Sequence, residues 1–145
     1  MNKNIIVSSC LLGKNCKYNG GNNKNENIIN LGNMYNLIQI CPEVMGGLSI
    51  PRHPSEIINN RVINKLGEDV TKQYVKGAEV SLEIAIANNV KYAVLKSNSP
   101  SCGFGKIYDG TFTGKKINGN GIAADLLFKN GIVILNENNF KEILK

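Results

Sequence analysis

Three of the four cysteines, Cys10, Cys41 and Cys102, each follow a short apolar run of the chain. Those runs cover residues 5–7, 37–40 and 92–95. Short aliphatic runs bounded by turn-forming residues are typical of buried strands in a parallel sheet. Because ligands bind beyond the carboxyl ends of such strands, we expect the three thiols to meet in one polar site lined by sulfur.

Thiolates that converge from distant parts of a chain are soft ligands, which select iron–sulfur clusters, zinc or copper(I). The fourth cysteine, Cys16, stands on a loop rich in Gly and Asn, and its spacing from Cys10 does not match the CxxC pair of zinc sites. His53 is the single histidine, and we expect it to be a surface or loop residue, so the composition favours a site made of thiolates alone. Two alternatives stay open: buried thiols that pack as small apolar side chains, and a catalytic thiol that works without metal.

The number of cysteines that bind a cluster decides what the cluster can do. Three thiolates around a cubane cluster leave one iron free for a substrate, whereas four thiolates occupy every iron. Three ligands therefore predict catalysis, and four predict electron transfer or a structural role. The sequence leaves both counts open, with Cys16 as the fourth candidate ligand.

Polar residues with acid–base or hydrogen-bonding capacity stand beside the cysteines. Glu43 follows Cys41 by two positions, and a partly buried carboxylate there would have a raised pKa and could act as general acid or base. The alternative for Glu43 is an ordinary loop carboxylate that caps a helix or pairs with Arg52. Ser101 is our candidate for a hydrogen bond to a substrate, although serines in this loop can also satisfy loop amides. No histidine lies near to activate a serine, so a serine hydrolase is not indicated.

The composition indicates a single soluble domain over residues 1–145. A chain of 145 residues with 42% hydrophobic residues can bury a core without disulfides. No apolar run approaches the ~18 residues of a membrane helix, and the first residues lead into a strand and not into a signal-peptide cleavage site. We therefore expect a cytoplasmic protein whose cysteines stay reduced and serve as ligands or reactive thiols.

The net charge of +6 permits an anionic partner such as nucleic acid. The basic residues are dispersed, however, and no block of five or more occurs, which favours a solvated surface. We therefore expect a small molecule as partner ahead of nucleic acid, and no membrane. The oligomeric state is left open.

Strands and helices are predicted to alternate along the chain, which indicates a small doubly wound α/β fold with a mainly parallel sheet and helices on both faces. The best defined helix is 72–88, with Asp69 or Thr71 as its cap. Its apolar positions that fall mostly on one face are Tyr74, Val75, Ala78, Leu82, Ile84, Ala85 and Ile86. The other predicted elements are a helix over 30–36, an irregular loop over 44–54, a hairpin or lid over 107–117, a helix over 122–129, a strand over 132–135 and a helix over 137–144.

Two glycine-rich pieces carry weaker signals. Residues 119–121 (GNG) open a helix and could hold a phosphate, but they lack the spacing of the dinucleotide and P-loop fingerprints, so a tight strand–helix turn is favoured. Gly46 and Gly47 are expected to let loop backbones approach one another or a cofactor closely.

The motifs together resemble a known family. The chain is similar, from about residue 5 to residue 137, to the family known as domain of unknown function 523, whose characterised members are thiouracil desulfidases. The motifs that carry the resemblance are 7–13 (VSSCLLG), 41–48 (CPEVMGGL), 51–52 (PR), 98–103 (NSPSCG) and 108–112 (YDGTF).

The resemblance implies a Rossmann-like domain with a [4Fe-4S] cluster held by Cys10, Cys41 and Cys102. The open iron would take the sulfur of a thiolated nucleobase. Cys16 matches a further family cysteine, and Glu43 and a serine of the 99–101 loop match residues implicated in catalysis. We assign the catalytic serine to Ser101, and Ser99 and Ser9 to substrate binding. The departures from the family pattern are Lys17, Asn19 and His53, and they bear on substrate choice more than on the cluster.

The reaction that this assignment predicts is a non-redox desulfuration. Glu43 activates a water that attacks the carbon bearing sulfur, Ser101 steadies the developing charge, and sulfide is released. Two other functions remain as alternatives: a cluster or sulfur carrier, which predicts four protein ligands, and a desulfidase of thiolated tRNA, which predicts a basic rim around the site.

Overall fold

The computed structural model describes residues 3–144. The strands are β1 (Asn4–Ser8), β2 (Asn36–Ile40), β3 (Ser55–Ile58), β4 (Arg61–Asn64), β5 (Tyr92–Leu95), β6 (Lys106–Tyr108), β7 (Lys116–Asn118) and β8 (Val133–Asn136). The α-helices are α1 (Glu26–Ile29), α2 (Pro42–Met45), α3 (Thr71–Ala87) and α4 (Ile122–Lys129). Three 3-10 helices cover Ser9–Leu12, Asn30–Asn33 and Phe140–Leu144.

The central sheet has four parallel strands in the order β2-β1-β5-β8. Ser8 pairs with Ile40 and Val7 with Val94, so β1, β2 and β5 end at the same edge. The chain order reverses direction at β1, because β2 lies on one side of it and β5 and β8 lie on the other. The predicted doubly wound α/β fold is confirmed, and the edge where three cysteine-bearing segments leave the sheet lies beside this reversal.

The sheet is buried on both faces, as its continuous aliphatic runs predict. One face packs against α3 and α4, with Ile6, Ile40, Ala93, Leu95, Ala85, Ala124 and Leu127 in its core. The other face packs against the segments around α1 and the carboxyl end, with Ile5, Val7, Val94, Ile28, Leu31, Phe140 and Ile143 in its core. Helices on both faces are therefore confirmed.

Helix α3 agrees with the predicted helix, but its buried face is narrower. The buried residues are Tyr74, Gly77, Ala78, Ser81 and Ala85, and each lies three or four positions from another member of the set. Val75 and Ile86 are 39% and 65% exposed, so they do not belong to this face. The helix start differs from the prediction in position: Val70 occupies the cap position and makes no side-chain cap bond, whereas Asp69 Oδ1 accepts from the amide of Thr71, the first helical residue, at 2.9 Å.

Other boundaries differ from the predictions for local reasons. Helix α1 begins earlier than residue 30, because the Asn25 side chain caps it by accepting from the Ile28 amide. The final helix is a 3-10 helix from Phe140 to Leu144. The hairpin of β3 and β4 was not predicted, although its turn residues Asn59 and Asn60 both have positive φ, 49° and 64°, as a type I′ turn requires.

The hairpin predicted over 107–117 is present as β6 and β7, joined by a long connection over residues 109–115. A short helix, α2, interrupts the start of the segment predicted as irregular. Within residues 3–144, no helix combines the length and the apolar composition needed to cross a bilayer.

Candidate metal centre

All four cysteines line one cavity of about 530 Å³ at the carboxyl edge of the sheet. Cys10 lies in the 3-10 helix that follows β1, Cys41 directly follows β2, and Cys102 lies in the loop after β5. None of the four forms a disulfide. The structure thus brings together thiols from three distant segments, while their role as ligands stays a prediction.

Three of the sulfur atoms accept a hydrogen bond from a neighbouring donor. Ser8 Oγ donates to Cys102 Sγ at 3.3 Å, and Asn23 Nδ2 donates to Cys10 Sγ at 3.4 Å. The Val44 amide, in the first turn of α2, donates to Cys41. Donors aimed at sulfur favour the thiolate form, which is the form that binds metal.

Cys16 is buried beside Cys41. The Cys41 thiol donates to the Cys16 carbonyl at 3.8 Å, and the contact between the two thiols raises the pKa of Cys16 and lowers the pKa of Cys41 to about 6. Burial works against ionisation of Cys41, whereas the Val44 amide supports it. Of the two thiols, Cys41 is therefore the one that ionises more readily.

The other two thiols are held protonated by their surroundings in the absence of an added positive charge. Burial raises the pKa of Cys102 to about 12, and the Ser8 hydroxyl only partly opposes this. Burial likewise raises the pKa of Cys10, with the Asn23 amide acting in the other direction. A bound cation reverses this balance, because its charge stabilises a thiolate directly.

The donor set fits a polynuclear cluster better than a single ion. Among residues 3–144, no group of three or more His, Cys, Asp and Glu side chains is spaced to hold one metal ion. Thiolates that share one zinc at about 2.3 Å lie within roughly 4 Å of each other. Thiolates arranged around a wide cavity suit an iron–sulfur cluster, whose several irons separate its ligands.

Glu43 points its carboxylate into the same cavity and is held at both oxygens. Arg52 Nε donates to Oε1 at 3.0 Å, and Ser101 Oγ donates to Oε2 at 2.8 Å. The side chains of Arg52 and Glu43 are only 8% and 14% exposed. Glu43 therefore pairs with Arg52, which was the alternative to a catalytic role, and it also faces the cavity.

Helix α2 places Cys41 and Glu43 because it lies directly against α3. A Cβ added at Gly77 would overlap the carbonyl of Pro42, and one added at Gly46 would overlap the backbone of α3 in the same way. The two backbones are therefore in van der Waals contact, as expected for Gly46. This contact fixes the first turn of α2 and the two functional side chains at its start.

Ser99 builds the loop that carries Ser101 and Cys102. Its hydroxyl accepts from the Cys102 amide at 2.7 Å and from the Ser101 amide at 3.2 Å. Ser99 therefore satisfies loop amides, as the alternative reading of this loop predicts, and lines the cavity as well. Its part in substrate binding stays a prediction, as does that of Ser9, which is buried and lines the cavity too.

The start of α4 is hydrogen-bonded to the backbone of this loop. The Ile122 amide donates to the carbonyl of Pro100 at 2.8 Å, and the Ala124 amide donates to that of Ser101 at 3.0 Å. A Cβ at Gly121 would lie 2.6 Å from the carbonyl carbon of Ser101. Residues 119–121 thus form a tight turn whose helix amides are used by the protein, in agreement with the prediction favoured over a phosphate site.

The place of several residues in the site was not predicted from the sequence. Tyr74 is buried in α3, and its hydroxyl faces Glu43 and Ser55; burial raises its pKa, and the negative charge of Glu43 raises it further. A tyrosine in an otherwise apolar helix face was the available signal, since its polar tip needs a partner. Nothing in the sequence distinguished Asn23 from its polar neighbours. His53 is exposed and does not line this cavity, as expected.

A doubly wound sheet with thiols, a held carboxylate and a serine around one cavity is typical of an α/β enzyme with a thiolate metal site. The model of the 2-thiouracil desulfurase family matches residues 5–139. The chain therefore belongs to this family, and the predicted family and enzyme class, a desulfidase, are confirmed.

Two relatives agree with this membership. The chain is 43% identical over 150 residues to "Uncharacterized protein YbbK" of Bacillus subtilis (strain 168), a match that covers 97% of this chain and 99% of the relative. A solved structure, the [4Fe-4S]-dependent thiouracil desulfidase TudS (DUF523Vcz), matches with a TM-score of 0.92 and 38% identity. That match covers 98% of this chain and 95% of the other.

Proposed function

We propose that the protein is an iron–sulfur-dependent, non-redox desulfidase that replaces the sulfur of a thiolated nucleobase, such as 2-thiouracil, with oxygen from water. The observation that carries the proposal is the shared cavity, in which Cys10, Cys41 and Cys102 face a carboxylate held by Arg52 and Ser101. The similarity to a [4Fe-4S]-dependent thiouracil desulfidase supports the same cofactor here.

Cys10, Cys41 and Cys102 would hold a [4Fe-4S] cluster as its three protein ligands. The hydrogen bonds support this choice, because these three sulfurs accept from Asn23, from an amide and from Ser8, whereas the contact with Cys41 raises the pKa of Cys16 and disfavours its thiolate form. When bound with one iron free of protein, the cluster would supply a Lewis acid for the thiocarbonyl sulfur.

Glu43 would accept a proton from the attacking water. One carboxylate oxygen is fixed by Arg52, and the other receives the Ser101 hydroxyl. A carboxylate held from both sides keeps one orientation in the cavity, so it can take a proton from water placed beside the substrate carbon. The hydroxyl of Ser101 would turn toward the substrate as charge develops there.

The substrate would be a small thiolated base or nucleoside. The cavity volume of about 530 Å³ lies within the range of about 300–1,000 Å³ typical of small-molecule sites. The overall reaction balances without an oxidant: water supplies the oxygen, the C–S bond breaks, and sulfur leaves as hydrogen sulfide. Water gives up both of its protons, the first to Glu43 and the second as the C–S bond breaks, and both leave on the sulfur as hydrogen sulfide.

Anaerobic purification with iron and sulfide analysis, followed by assays of thiobases, tests the proposal. We expect about four irons and four sulfides per chain, and release of sulfide with formation of uracil from 2-thiouracil. A protein that binds the cluster but releases no sulfide from any thiobase would support the carrier alternative. A protein that binds no iron would overturn the proposal.

A further inference from the structure

Part of the cavity lining is aromatic and comes from the hairpin of β6 and β7. Tyr108 and Phe112 line the same cavity as the cysteines. Tyr108 ends β6, and Phe112 lies in the connection to β7. The chemistry proposed above gives these rings no task, because it involves only sulfur, the carboxylate and the hydroxyl.

Phe112 is held in an unfavourable backbone conformation. Its φ is +57°, in the left-handed region that bulky residues rarely adopt. Such a conformation persists where the surrounding contacts enforce it, and it is concentrated at ligand sites. A specific neighbouring group should therefore enforce it here.

That group is the carboxylate of Glu56 on β3. Glu56 Oε1 accepts from the Gly110 amide at 2.9 Å and from the Phe112 amide at 3.1 Å. Glu56 is only 8% exposed, and it takes part in no ion pair among residues 3–144. A buried carboxylate thus accepts hydrogen bonds from the amides of Gly110 and Phe112, and such charge-assisted hydrogen bonds are strong.

The two hairpins also touch directly at this point. Gly110 has a φ of +94°, and a Cβ there would lie 2.6 Å from Cγ1 of Ile58. The connection over 109–115 therefore lies close against β3, and the two amide contacts to Glu56 hold it there. Both features restrain the backbone that carries the Phe112 side chain.

Within residues 3–144, no cationic side chain and no second ring is found against Phe112, in contrast to Tyr108. The ammonium group of Lys116 lies 5.9 Å from the centroid of the Tyr108 ring and covers part of it. Phe112 is partly exposed and forms no aromatic pair in the described part of the chain, where the pair found joins Phe104 to Phe128. A free aromatic face at the lining of a cavity is the group that stacks on a planar heterocycle.

We propose that Phe112 is a specificity-determining residue that stacks on the ring of the substrate, and that Glu56 is the positioning residue that holds it there. This inference rests on the proposed function and names its substrate class: thiocarbonyl compounds with a planar aromatic ring, such as thiopyrimidines, in preference to acyclic thioamides. Phe112 would affect binding of the substrate ring, whereas Glu43 would affect the chemical step. Changes in KM and in kcat therefore distinguish the two contributions.

Steady-state kinetics of the cluster-loaded variants Phe112→Leu and Phe112→Tyr tests the stacking. Leucine keeps the bulk and the backbone cost of a residue with positive φ but removes the aromatic face, whereas tyrosine keeps the face. For 2-thiouracil we expect F112L to raise KM about tenfold or more with little change in kcat, and F112Y to stay near the wild type. With thioacetamide, F112L should leave KM unchanged.

The variants Glu56→Gln and Glu56→Leu test the positioning. Glutamine retains an oxygen that can accept a hydrogen bond from both amides, so the KM of E56Q should stay close to that of the wild type. E56L should raise KM as F112L does. Iron content and circular dichroism establish that each variant is folded, and Glu83→Gln, at an exposed position of α3, is the matched control. Should E56L not fold, the Phe112 variants alone decide the stacking, and E56Q decides whether the negative charge itself is required.

Calorimetric titration of 2-thiouracil onto cluster-loaded Glu43→Gln, with and without F112L, measures binding apart from turnover. The inference is supported if the Kd of 2-thiouracil is higher in the double variant by the same factor as the change in KM. Equal KM and Kd values with and without the ring would overturn it while wild-type turnover still upheld the desulfidase function. A wild-type protein that turns over no thiobase would overturn both.

Discussion

Ser101 Oγ lies 2.8 Å from Glu43 Oε2, although 58 positions separate the two residues in the chain. Glu43 reaches this point from the first turn of α2, and Ser101 reaches it from the loop that precedes α4. The contact joins the segments that carry Cys41 and Cys102. One set of contacts therefore fixes the positions of the proposed base and of two proposed ligands.

Replacing Glu43 by Gln should abolish turnover while the brown absorbance of the cluster persists. Glutamine keeps the shape of the side chain but cannot take a proton, and general-base catalysis contributes typically about 10²–10⁴-fold. Sulfide release and the visible spectrum are measured on the same sample. The exposed Glu79→Gln on α3 serves as control, and activity retained in E43Q would remove Glu43 from the mechanism.

Serine variants of the four cysteines should fall into two groups. C10S, C41S and C102S should each lose most of the bound iron, because each removes a sulfur that accepts a hydrogen bond in the cavity. C16S should keep the iron, since the contact with Cys41 raises the pKa of Cys16 and so disfavours the thiolate form that binds metal. Iron analysis and electron paramagnetic resonance distinguish the groups. Loss of iron in C16S equal to that in C10S would indicate four ligands and favour the carrier function.

Gly77→Ala should displace α2 and with it both Cys41 and Glu43. The added Cβ overlaps the backbone carbonyl of Pro42, and backbone cannot yield as a side chain can. We expect a loss of about 3 kcal/mol or more in the free energy of unfolding, at the upper end of the cost of overpacking, together with reduced iron content. Urea unfolding measures the first effect.

Gly32→Ala is the matched control for this change. A Cβ there meets only the flexible side chain of Leu37, at 3.5 Å. We expect wild-type stability and iron content within error. Equal behaviour of the two alanine variants would show that α2 and α3 are not held together as closely as the structure indicates.

The pH dependence of stability should reveal the ion pair between Glu137 and Lys96. Burial raises the pKa of Glu137, but the Lys96 ammonium at 2.6 Å and the Ser97 amide and hydroxyl outweigh it, so the pKa lies below its ordinary value of 4.5. A carboxyl group with a lowered pKa in the folded state stabilises the protein above its unfolded pKa. That contribution is lost as the pH falls through the folded value.

Glu137→Gln should therefore be less stable than the wild type at pH 7, and the difference should shrink below about pH 4. Denaturant unfolding of both proteins at several pH values measures it. Glu142→Gln, at an exposed position near the carboxyl end, accompanies the series as a comparison. A difference that stays constant from pH 7 to pH 3 would mean that the charge of Glu137 contributes nothing to stability.

The regular elements follow closely from the sequence because their signals are local. The aliphatic run before Cys41 needs only its neighbours to be recognised as a strand, and α3 is recognised from the spacing of its apolar residues. The helix over 122–129 has the predicted bounds, since a turn of glycines opens it and Asn130 ends it. The hairpin of β3 and β4 was not predicted, because its turn, Asn59-Asn60, lacks the glycine that usually marks such turns.

The sequence by itself determined the type of chemistry, since four cysteines with a single histidine leave thiolate as the available soft ligand, and it placed Cys10, Cys41 and Cys102 at strand ends. Only the tertiary structure decided that Cys16 lies against Cys41, that Arg52 and Ser101 hold Glu43 from both sides, and that Glu56 restrains Phe112 at the cavity. The physical reason is range: a strand or helix is specified by residues a few positions apart. A hydrogen bond between side chains from distant segments depends on the packing of every element between them.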